Sequence, residues 1–115
     1  MALKTALKNV GKSLETIVRN PPESGVSIKI STLLVCNTIR DSVSVEIRVV
    51  RDGSDFYILK DSVLEAGRNA SVFAAKDIGI YLEEGDALKV GGSLDGALDV
   101  VCAYSEIDPL ESKED

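Results

Sequence analysis

From Gly25 onward, apolar and polar residues alternate with a period of two in one short run after another. Val26, Ile28 and Ile30 alternate with Ser27, Lys29 and Ser31, the pattern of a strand with one buried face. The run continues into Leu33-Leu34-Val35-Cys36, apolar on both sides, as expected of a strand inside a sandwich. Val43, Val45, Ile47 and Val49 alternate with Ser44, Glu46 and Arg48, the clearest strand of the chain. Asp52-Gly53-Ser54 then supplies turn chemistry and Phe56-Tyr57-Ile58-Leu59-Lys60 runs back, which predicts a hairpin over 43–60. The pattern L-E-x-G occurs twice, at Leu64–Gly67 and Leu82–Gly85, each time between apolar runs. Both read as tight reversals with glycine in a left-handed conformation. Gly91-Gly92-Ser93 and Asp95-Gly96 suggest another loop, and Leu98, Val100, Cys102 and Tyr104 form a last strand that Pro109 ends.

Seven to eight such strands with regular turn signals predict an all-β fold: an antiparallel, jelly-roll-like β-sandwich over residues 13–108. Ile28, Ile30, Val45, Ile47, Leu88, Val90, Val100 and Cys102 are the expected inward positions. The start of the chain is different. Leu3, Leu7, Val10, Leu14 and Ile17 fall at helical spacing, but Asn9 and Gly11 weaken a helix. A first strand near 13–20 is expected, preceded by a short N-terminal arm over 1–12. Residues 109–115 read as an acidic, flexible tail.

Composition narrows function mainly by what it lacks. The 115 residues, 44% hydrophobic and 28% charged, suit one globular domain and are too apolar for a disordered chain. There is no His and no Trp, and the aromatics are 3 Tyr and 2 Phe. Without His, Ser-His-Asp triads, imidazole bases and most zinc or iron sites drop out. No run approaches the roughly 20 apolar residues of a membrane span, and no secretory signal is expected. The net charge is −6, and residues 1–20 carry Lys4, Lys8, Lys12 and Arg19 against Glu15 alone. An acidic body argues against a nucleic-acid surface, which needs clustered Lys and Arg.

The remaining candidate chemistry is thin. Cys36 and Cys102 sit in apolar runs, match no metal spacing and read as buried thiols. They can pair only if their strands lie side by side or pack face to face. Glu83, Glu84 and Asp86 cluster in one turn, Asp52 and Asp55 in another, without the spacing of a calcium loop. Exposed acidic turns are the commoner meaning of such clusters. No catalytic residue, cofactor or metal ligand is expected, and the protein reads as a non-enzyme.

The order of these pieces resembles a group of small all-β structural proteins of tailed bacteriophages. The resemblance spans roughly residues 3–108. It starts at Leu3-Lys4-x-x-Leu7-Lys8-Asn9-Val10-Gly11 and is most specific at Leu82-Glu83-Glu84-Gly85-Asp86-Ala87-Leu88-Lys89-Val90 followed by Ala97-Leu98-Asp99-Val100-Val101. It implies a virion protein assembled in the host bacterial cytoplasm, first of all a capsid decoration (cement) protein. A neck, tail or baseplate accessory is the alternative, and a carbohydrate-binding β-sandwich module is the rival from another class. The implied partners are the chain itself, as a homo-oligomer such as a trimer, and other virion proteins such as the major capsid protein. Neither nucleic acid nor membrane is an expected partner. The expected assembly contacts lie in the arm: Leu3, Lys4, Leu7, Lys8, Val10 and Lys12, with the lysines meeting acidic groups on the neighbour. On that reading, removing residues 1–12 leaves the fold intact and weakens assembly.

Overall fold

A computed structural model describes residues 3–73 and 80–108, and for 69–73 the backbone alone. The expected tail over 109–115 and the run around Ile78 lie outside the described residues. The described chain is all strand and turn. In order these are β1 (Leu3–Val10), β2 (Glu15–Arg19), β3 (Ser27–Asn37), β4 (Val43–Arg51), β5 (Ser54–Leu64), β6 (Asn69–Phe73), β7 (Ile80–Leu82), β8 (Ala87–Gly92) and β9 (Leu98–Ile107).

Two antiparallel sheets face each other. The first runs β1-β9-β3, with β6 and β7 both paired to the far edge of β3. The second runs β2-β8-β4-β5. Nine strands thus occupy eight positions. Only the β4–β5 hairpin stays within the second sheet, while β1–β2, β2–β3, β3–β4, β5–β6, β7–β8 and β8–β9 all cross between sheets. That wiring is the jelly roll expected from the strand pattern.

The core lies between the sheets. Every inward position expected from the alternation is buried: Ile28, Ile30, Val45, Ile47, Leu88, Val90, Val100 and Cys102. Val10, Val18, Leu33, Val35, Val43, Leu82, Ala97 and Leu98 complete it. The hairpin turn puts both Asp52 (φ 52°) and Gly53 (φ 78°) at positive φ, as a two-residue type I′ loop requires. The repeated L-E-x-G pieces are equivalent turns. Arg68 N–H donates to Glu65 C=O and Asp86 N–H to Glu83 C=O, with Gly67 and Gly85 at positive φ. Each carries the chain from one sheet to the other.

Two expectations fail. Residues 3–10 are no arm but a full edge strand, paired with β9 from Leu3↔Ser105 to Val10↔Leu98. Its inward positions are Lys4, Ala6, Lys8 and Val10, of which only Val10 is fully buried. The exposed Leu3 and Leu7 produced the helical spacing, so period-two reading failed. Gly91 and Gly92 also belong to a strand, the end of β8, rather than a loop. Small residues are needed there: a Cβ on Gly92 would come within 2.9 Å of Leu98 Cδ1.

Candidate interaction surface

The acidic turn at 83–86 is occupied with folding. Asp86, expected at the surface, is buried and receives both Nε and Nη2 of Arg51, the latter at 2.6 Å. It also accepts the Glu83 backbone N–H at 2.8 Å. The guanidinium and that N–H hold its carboxyl below the usual carboxylate range, against the cost of burial. Glu84 accepts the Gly25 N–H and Glu83 the Ser27 hydroxyl. Beneath them, buried Asn20 donates to Val26 C=O and Leu82 C=O and accepts from Ser24 Oγ. These groups clamp the β2–β3 loop to the β7–β8 turn. The shallow recess lined by Gly25, Ser27, Glu83 and Glu84 is the surface of that clamp. Among the described residues no group of three Cys, Asp or Glu gathers that could hold a metal ion.

The cysteines do lie on neighbouring strands, yet Cys102 pairs with Leu33 in the core while Cys36 pairs with Asp99 on the outer side. On opposite faces they cannot join. Burial pushes the Cys102 thiol up to about 12, which makes it an inert core side chain.

The two outer faces differ in kind. On the second sheet Arg48 bridges Glu46 and Asp55, each at 2.7 Å. Arg48 and Lys60 both lie over the Tyr57 ring, at 5.1 and 5.0 Å from its centroid. That face carries a network of paired charges, with Val63 exposed beyond it on the edge strand β5. The outer face of the first sheet centres on two uncharged rows. Strand register aligns Leu7-Val101-Leu34 in one row and Thr5-Ala103-Thr32 in the next. Leu3-Ser105-Lys29-Tyr81 lies on one side and Asn9-Asp99-Cys36 on the other. Leu3 and Leu7 are 68% and 73% exposed, and Tyr81 is about half exposed. Leu7, aligned with Val101 and Leu34 and bordered by the uncharged Thr5-Ala103-Thr32 row, makes an apolar patch at the centre of this face, and Leu3 stands exposed one row beyond.

Of the residues expected to make assembly contacts, Leu7 belongs to this patch and Leu3 stands one row beyond it. Val10 does not, since it is a core residue. Lys4 pairs with Glu106 at 3.0 Å and Lys8 with Glu15 at 3.5 Å, so both find their acidic groups within the chain. Lys12 is exposed in the β1–β2 loop. Val101, Ala103, Thr32 and Leu34 escaped sequence reasoning because only the register shows that they continue the Leu7 and Thr5 rows. The signal available was Leu33-Leu34-Val35-Cys36, apolar on both faces. No protein-family model, curated protein or solved structure matches this chain.

Proposed function

We propose that the chain is a non-enzymatic structural protein of a bacteriophage virion, in the first instance a capsid decoration protein that assembles with its own copies and the major capsid protein. The observation that carries this reading is the apolar patch on the outer face of the first sheet. A soluble monomer gains nothing from exposed leucines on a sheet face with an uncharged centre, whereas an assembly protein buries them. The specific turn and strand at 82–90, which carries the resemblance to phage proteins, serves here as a clamp between the sheets. Its acids support the fold and are engaged with partners in the chain, which favours a scaffold over a catalyst. Contacts through one small patch are weak singly and become firm when a particle repeats them many times.

A carbohydrate-binding module draws less support. Tyr57, one of the exposed aromatics, already has two cations over its ring. Mass spectrometry of purified particles from the encoding phage tests the proposal. Many copies per particle, lost together when Leu7→Lys is introduced, is the expected result. Particles lacking the protein, combined with tight binding on a glycan array, would overturn it in favour of the sugar module. Copies confined to the neck or tail would move it to the accessory role.

A further inference from the structure

We infer that the outer face of the first sheet is a two-fold interface with a second copy of this chain, its strands antiparallel to those of the partner. The inference rests on the assembly reading above and names its first partner.

Three observations select a second copy. The first is composition. The central rows Leu7-Val101-Leu34 and Thr5-Ala103-Thr32 carry no charge, although the chain as a whole carries −6. Two such acidic chains repel through most of their surfaces and least through this one.

The second is the placement of the charges that border the rows. Lys29 stands in the row before the uncharged pair and Asp99 in the row after it. A two-fold axis lying in the interface, across the strands and midway between the uncharged rows, places the Lys29 end of one copy over the Asp99 end of the other. An axis along the strands would instead stack lysine row on lysine row. Asp99 already accepts from Asn9 Nδ2 at 2.8 Å, and Lys29 has interactions of its own. The charges therefore choose the register by avoiding like-charge contact, and burial of the leucines supplies the attraction. In that register the Leu7 row of each copy packs on the Thr5 row of the other, large side chains over small.

The third is area. Four strand positions about 4.8 Å apart and about eight residues long present a face of roughly 500 Å² per copy. A pair then buries roughly 1,000 Å², the lower end of the range for specific interfaces. The pair is thus a reversible one, suited to reinforcement by repetition on a particle.

Sedimentation of the full chain from about 10 μM to 1 mM tests this, since an interface of such size dissociates within that range. A monomer–dimer equilibrium is expected. Leu7→Lys and, independently, Thr5→Lys should each weaken it by at least about tenfold, both sites being exposed and tolerant of charge in the monomer. Asp99→Lys should weaken it similarly, and Asp99→Lys combined with Lys29→Asp should restore it. A monomer throughout, a trimer, or a dimer untouched by both face variants overturns the interface. Failure of the double exchange to restore association overturns the antiparallel register and with it the proposal. Circular dichroism of each variant separates these results from misfolding. A chain that stays monomeric yet occurs in many copies on particles overturns this inference and leaves the proposed function standing.

Discussion

Asp86 shows how a single side chain changes meaning between sequence and structure. In the sequence it is one acid among three in a turn. In the fold it is buried, with the Arg51 guanidinium on one side and the Glu83 N–H on the other. Because its folded carboxyl titrates below the ordinary value, it stabilises the protein above the unfolded pKa. That contribution disappears as pH falls through the folded pKa. Denaturant midpoints should therefore drop below about pH 4, and Asp86→Asn should flatten the drop while lowering stability at neutral pH by about 1.5–3 kcal/mol. A variant with an unchanged acid limb would show that Asp86 is not the group responsible. The same scale governs the thiols. A thiol reagent should modify Cys36 on the outer face promptly and Cys102 only on unfolding, because burial holds Cys102 as the neutral thiol. Two equally fast thiols would mean that the core opens easily. Ile47, fully buried between the sheets, should not tolerate a charge: Ile47→Asp is expected to leave no cooperative thermal transition.

At the scale of elements, the sequence was most legible where one face of a strand is buried and the other is wet. β4 and β9 follow the alternation, and the two L-E-x-G turns and the Asp52-Gly53 hairpin adopt the positive φ values that their residues predict. Legibility failed at the edges. The inward face of β1 holds Lys4 and Lys8, placed where an edge strand has least depth beneath it. Inward lysines on an edge strand discourage pairing with foreign strands, and Lys8 also reaches Glu15 on β2 across the open side of the sandwich. Charges used for protection thus erased the periodicity that would have announced the strand. β5 was read only in part because Asp61, at φ 52°, and the register shifts near Ile58 interrupt its alternation. Gly11 is a third case, where no sequence pattern applied. Its backbone passes so close to the β8–β9 loop that a Cβ would sit 2.5 Å from Gly96 N and 2.9 Å from Asp95 Cα. Gly11→Ala should therefore cost about 1–3 kcal/mol, measured by chemical denaturation, although alanine usually suits a strand end better than glycine. An unchanged midpoint would mean that the two loops separate without penalty.

The whole molecule sets the role of its first residues. Read as an arm, residues 1–12 could be removed without harm to the domain. As strand β1, residues 3–10 cover the edge of β9 from Leu98 to Ser105 and carry Val10 into the core. Removing residues 1–10 would uncover a long, flat edge with Val101 and Ala103 on its outer side, a template for pairing with other chains. It would also delete the fully buried Val10 and break the Lys8–Glu15 link between the sheets. Loss of the Val10 side chain alone costs about 1.5–3 kcal/mol in transfer terms. Against the roughly 5–15 kcal/mol of a typical domain, that loss and the missing backbone pairs leave little margin. The truncated chain should therefore lose its cooperative thermal transition or aggregate on purification. The point variant Leu7→Lys, which alters only the outer face, should instead melt close to the parent temperature. This contrast distinguishes the two jobs of one strand: its hydrogen bonds and Val10 close the sandwich, while Leu3 and Leu7 face away from it. A truncated protein that stays monomeric and melts as the full chain does would return residues 1–10 to the status of an appendage.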